Sequence, residues 1–118
     1  MSGPNHQLVA QLLRAGMSSI GISGSELVRR LNGVGHSLDK SSLSRWLKPD
    51  RSVPARMVPA LLEILDLSVL DRWEFYKARS PALADVVSKR LADPAEVVEW
   101  LALIYEYSGE LALAKLDR

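Results

Sequence analysis

Apolar residues in this chain recur three and four positions apart from one end to the other, and they seldom alternate with polar ones. That spacing stacks side chains on one face of an α-helix and leaves no half-buried strand to build. The chain is therefore expected to be all-α, and its punctuation divides it into helices. Leu8, Val9, Leu12 and Leu13 form a first apolar face, which Gly16 is expected to end. Ser23-Gly24-Ser25-Glu26 has the form of a capping box, in which the Ser and Glu side chains each satisfy a free backbone N–H of the first turn. Leu27, Val28 and Leu31 give that helix its buried face, and Asn32-Gly33 offers the left-handed residue that stops it. Asp39 is the expected cap of a third helix, in which Leu43, Trp46 and Leu47 fall at i, i+3 and i+4 and dock inward before Pro49.

Pro54 and Pro59 both suit a first helical turn. Either residues 54–58 form a separate turn, or the helix carrying Leu61, Leu62 and Leu65 is kinked. Ser68 to Asp71 reads as the next cap, opening a helix with Leu70, Trp73 and Tyr76. Ser80-Pro81 opens another, with Leu83, Val86, Val87 and Leu91 inward. Asp93-Pro94 opens the last long one, with Val97, Val98, Leu101, Ile104 and Tyr105, and Ser108-Gly109 breaks it before Leu111, Leu113 and Leu116.

A length of 118 residues suits one domain, or a small domain with an appendage. At 47% hydrophobic the chain can build a core, which argues against wholesale disorder. It has no cysteine, so disulfides, thiolate zinc sites and Cys nucleophiles are excluded together, and a reducing cytoplasm is the expected compartment. No apolar run approaches the roughly 20 residues of a membrane helix, and MSGPNHQ does not begin a secretory signal. The net charge of +1 conceals an asymmetry: residues 1–60 carry eight Lys/Arg against three Asp/Glu, and residues 61–118 carry seven against eleven. A basic half and an acidic half point to two different tasks, only the first of which meets an anion.

The basic half has a plan for that task. Two short helices joined by a turn, the second of them polar, make a helix-turn-helix. Its second helix must dock by a narrow apolar stripe, because the rest has to enter a major groove about 12 Å wide. Leu43 and Trp46 supply the stripe. Lys40, Ser41, Ser42, Ser44 and Arg45 are then the candidates for reading bases: the serines are small enough for the backbone to approach base edges, and Arg45 suits a guanine. Arg29, Arg30, Lys48, Arg51 and Arg56 are the candidates for neutralising phosphates.

Residues 38–46, Leu-Asp-Lys-Ser-Ser-Leu-Ser-Arg-Trp, resemble the recognition-helix pattern of the Cro and phage-repressor type regulators, and are similar to a stretch of the lambdoid phage lysogeny activators. Leu61 through Asp71 resembles the fourth helix of that family and the entry to its fifth. The resemblance covers roughly residues 5–78. It implies a helix-turn-helix bundle of about five helices that binds double-stranded DNA, in a regulator of phage, plasmid or bacterial origin with repressor-like action. One departure stands out. Seven residues, Asn32 to Leu38, separate Leu31 from Asp39, about five more than the short turn of that family. The family's contacts therefore carry over only to Lys40, Ser41, Ser42, Ser44 and Arg45.

Residues 79–118 are expected to be a helical dimerisation or assembly element. Val97, Val98, Trp100, Leu101, Leu103 and Ile104 make the last long helix apolar on more than one face. Such a helix is central in a core or shared with a second copy. Val97, Trp100, Leu101, Ile104 and Tyr105 are the candidate dimer contacts, in keeping with the two half-sites that helix-turn-helix dimers bind. The alternative is an all-α protein-interaction module, or an antitoxin-like adaptor, acting through the aromatic C-terminal half. An enzyme is not expected: no Gly-rich phosphate loop, nucleophile elbow or paired-histidine motif occurs. Two histidines without cysteine assemble no metal site, and nothing calls for a cofactor.

Overall fold

The computed structural model describes residues 3–48 and 53–107, and every regular element among them is a helix. In chain order these are α1 (His6–Ile20), α2 (Gly24–Gly33), α3 (Lys40–Leu47), a 3-10 turn (Ala55–Met57), α4 (Val58–Ile64), α5 (Val69–Arg79), α6 (Pro81–Ser88) and α7 (Pro94–Tyr107). The all-α reading holds, with seven α-helices among the described residues where the family pattern suggested five and an extension.

Side chains at the helix starts explain most of the boundaries. Asn5, Ser23, Asp39 and Ser68 each accept a hydrogen bond from a backbone N–H in the first turn of the helix that follows. Asp93 takes the Ala95 N–H in the same way. The capping box at Ser23 is only half made. Ser23 Oγ accepts from the Glu26 N–H at 3.2 Å, but the Glu26 carboxylate turns to Arg29 and Arg30. The two prolines resolve into a separate 3-10 turn followed by α4, with Pro59 in its first turn, where a missing N–H costs nothing.

Two glycines behave differently from expectation. Gly16 does not end α1, which runs four residues further and stops at Gly21 in the left-handed region, φ +69°. Gly16 is instead buried where α1 packs on the connection between α4 and α5. A β-carbon there would lie 3.1 Å from Leu67 and 3.2 Å from Leu65. The left-handed residue after α2 is Gly35, φ +100°, and Gly33 is the last residue of the helix itself. The long turn that follows is held by one side chain. Asn32 Oδ1 accepts from the Leu38 N–H at 2.9 Å, and Asn32 Nδ2 donates to the Leu38 carbonyl at 3.1 Å.

One continuous core runs from Val9 to Tyr105, with Leu13, Leu27, Leu31, Leu61, Leu62, Phe75, Tyr76 and Leu101 at its centre. α7 lies against α4, α5, α6 and the 3-10 turn, so α6 and α7 close the same core that α1 to α5 begin. This corrects the placement of three interface candidates. Val97 (3% exposed), Leu101 and Tyr105 (both 0%) are inside the chain's own core, because the α7 face toward α4 and α5 covers it. Val86 and Leu70, by contrast, face outward. A buried polar knot sits where these elements meet. Arg79, at the end of α5, donates from Nε to the Val53 carbonyl at 2.9 Å and from a guanidinium nitrogen to Tyr105 Oη at 3.3 Å, while Ser80 Oγ is bonded to the same phenol oxygen. The guanidinium also lies 4.9 Å from the Tyr105 ring.

Candidate functional site

α3 has eight residues, too few to persist on its own in water. It is held from three directions. Leu43 and Trp46, each 4% exposed, dock into the core. Burying a leucine contributes roughly 1.5–3 kcal/mol, and the larger Trp46 contributes more. Gly24, at the start of α2, lets Leu43 come close, since a β-carbon there would lie 3.1 Å from its terminal methyl. At the N-terminus Asp39 Oδ1 takes the Ser42 N–H at 3.0 Å and the Ser41 hydroxyl at 2.7 Å. These bonds, that from the Ser41 hydroxyl first, hold the Asp39 carboxyl below its usual range. At the C-terminus Arg14 of α1 donates to the Leu47 carbonyl at 2.9 Å. A cation at that end also suits the partial negative charge of the helix terminus.

What remains of α3 faces water. Lys40, Ser41, Arg45 and Lys48 are exposed, and Ser42 and Ser44 are half-buried. Lys40, Ser44 and Lys48 line a shallow groove of about 310 Å³ together with Arg14, Gly24 and Ser25, so three cations and two hydroxyls converge beside the start of α2. No ion pair involves Lys40, Arg45 or Lys48 among the described residues, whereas Lys77 and Lys89 elsewhere are paired with Glu74 and Asp85. Among the described residues the one carboxylate on α3's own border, Asp39, is occupied as its cap. The serines are partly committed as well, since the Ser41 and Ser42 hydroxyls both turn to Asp39.

The candidates for phosphate contact do not gather around α3 as one group. Arg29 and Arg30 are exposed on α2 but share Glu26: Arg29 is bound through two nitrogens at 2.8 and 2.5 Å, Arg30 through Nε at 2.9 Å. The hydrogen bond from Arg29, then that from Arg30, lowers the Glu26 carboxyl to about 2. The cluster presents a net +1 where the sequence offered two free cations. Lys48 lies at the end of α3. Arg56 lies elsewhere, in a mixed groove with Val34, His36, Glu63 and Glu106. Arg51 lies outside the described residues. Arg14 is the member that sequence reasoning missed. It sits on the polar side of α1, and only the tertiary packing brings it to α3.

Among the described residues no group of three or more His, Asp or Glu side chains is placed to hold a metal ion, and no helix is long and apolar enough to cross a membrane. Comparison with protein-family models, with curated proteins and with solved structures finds no match for this chain. The fold and the site define an all-α protein that presents a short, firmly docked helix whose cationic face makes no ion pair among the described residues.

Proposed function

We propose that the chain is a sequence-specific DNA-binding transcriptional regulator of the helix-turn-helix kind, reading the major groove with α3 and acting on two half-sites as a dimer. The observation that carries this reading is the outward face of α3. Lys40, Arg45 and Lys48 stand there without an acidic partner among the described residues, beside small serines, on a helix held at both ends. Exposed cations that lack counterions suit a polyanion, because each phosphate they neutralise releases a condensed counterion. Arg45 is the base reader, and Lys40, Lys48 and Arg14 bracket the backbone. The longer turn before α3, pinned by Asn32, sets the angle at which α3 meets the groove.

The test is a titration of the chain against DNA from upstream of its own gene and against random DNA, at two salt concentrations. Binding that weakens steeply with salt and prefers one sequence is the expected result. Arg45→Ala should then cost about 1–3 kcal/mol on the preferred site, and an equal loss on every sequence would make Arg45 a phosphate contact instead. No binding to either DNA at low salt would overturn the reading.

A second reading has its own observation. Trp100, Leu103 and Tyr107 are exposed on α7, as a protein-interaction module or adaptor would need. A contact centred on that apolar stripe should depend on salt far less steeply than DNA binding does, which separates the two.

A further inference from the structure

The end of α6 and the outer side of α7 enclose a groove of about 270 Å³, lined by Val86, Val87, Arg90, Leu91, Trp100 and Ile104. Beside it Leu103 is 47% exposed and Tyr107 77%. Trp100, Leu103, Ile104 and Tyr107 stand at i, i+3, i+4 and i+7, so they form one stripe along α7. We propose that this face binds a second copy of the chain, with the two α7 helices parallel and Arg90 of each copy set against the partner's Glu99 and Glu106.

The charges at the edges of the stripe select this occupant. Arg90 bounds it on the α6 side. At 100° per residue, Glu99 and Glu106 fall beyond Leu103, on the flank of α7 turned away from α6. Glu96 bounds the stripe at its N-terminal end. Arg90, Glu99 and Glu106 make no ion pair among the described residues, although Lys89, next to Arg90, is paired with Asp85 at 2.9 Å. The face is thus apolar along the middle, with a cationic edge and an anionic edge that form no ion pair among the described residues, Glu106 lying at the rim of the groove that also holds Arg56. An isologous interface must be complementary to itself. A two-fold axis running along α7 lays each cationic edge on the partner's anionic edge, twice over. An axis across α7 would stack like charge on like charge. The parallel arrangement therefore satisfies the apolar stripe and its two long edges with one kind of molecule, and leaves the two Glu96 side chains at the solvent-open end of the stripe. It leaves α3 clear, because α3 packs on α1 and α2, and no residue of the α6–α7 groove lines the groove beside α3.

The proposal serves the regulator reading by supplying its dimer, but the experiment contains no DNA, so the two can fail separately. Sedimentation equilibrium of the full chain should give twice the monomer mass of 13.0 kDa. Arg90→Glu alone, and Glu99→Arg with Glu106→Arg, should each weaken association by on the order of a hundredfold, because like charges then meet across the interface. An equimolar mixture of the two variants should recover the dimer. In that pairing the two altered edges face each other, and so do the two native ones. All three positions are on the surface, and circular dichroism of each variant should match the parent. A monomeric parent chain overturns the proposal. So do variants that dimerise as well as the parent, or a mixture of folded variants that stays monomeric; a peptide or other protein bound by a monomeric parent would assign the groove to that partner.

Discussion

Tyr105→Phe isolates the buried knot at the junction of α5, α7 and the segment leaving α3. The substitution keeps the ring, which is fully buried and meets Tyr76 edge-on with centroids 4.9 Å apart. It also keeps a face for the Arg79 guanidinium. It removes only the oxygen to which Arg79 donates at 3.3 Å and to which Ser80 Oγ is bonded. Arg79 and Ser80 each lose one partner while remaining out of reach of water, and keep the 3.5 Å bond from the guanidinium to Ser80 Oγ. Leaving a buried donor short of a partner costs about 1–3 kcal/mol, and the hydrogen bond from a charged guanidinium belongs toward the upper part of that range. The expected loss is about 2 kcal/mol. At about 2.1 cal/mol/K per residue, a chain of 118 residues changes its stability by ~0.25 kcal/mol per degree near its midpoint, so the loss corresponds to ~8 °C in melting temperature. Thermal unfolding followed by circular dichroism reads it directly. Ser18→Ala, which removes a hydroxyl at an exposed position on α1, is the control and should fall within about 0.5 kcal/mol of the parent. An unchanged or raised melting temperature for Tyr105→Phe would refute the reasoning, because it would mean the phenol oxygen satisfies nothing that matters.

Three further outcomes are expected. Trp46→Ala should cost about 3–5 kcal/mol by opening a cavity under α3, with loss of protection at the α3 amides in hydrogen exchange. Gly16→Ala should destabilise by about 1 kcal/mol in urea unfolding, since crowding of Leu65 and Leu67 outweighs the gain in helix propensity. The Glu26 carboxyl, lowered from 4.5 to about 2, contributes stability that is complete above pH 4.5 and lost as pH falls toward 2. Glu26→Gln should flatten the urea midpoint across that window, and by releasing Arg29 and Arg30 it should tighten salt-sensitive DNA binding.

The parts of this structure that are written locally are the ones a sequence reader recovers. Ser23, Asp39, Ser68 and Asp93 announce their helices because a cap involves residues two or three positions apart. Leu43 and Trp46 were legible as the docked face of α3 for the same reason. What was misread depends on contacts between distant segments. Gly16 looks like a stop because glycine usually weakens a helix, and only its approach to Leu65 and Leu67 explains why it lies within one. α7 is apolar on more than one side, so its periodicity does not say which side meets α4 and α5; Val97, Leu101 and Tyr105 went inward and Trp100 stayed out. The buried Arg79 and the reach of Arg14 to α3 have no local signature at all.

The fastening of α3 has a consequence for binding kinetics. A helix this short would normally fray from both ends, and any partner would have to order it on contact. Here its first turn is tied through Asp39, the turn before it through Asn32, and its last carbonyl through Arg14. The conformational entropy of the segment is surrendered when the chain folds, so little remains to be surrendered at an encounter. A surface prepared in this way docks as a rigid body. Its rate of association is then governed by diffusion and charge rather than by waiting for a helix to form.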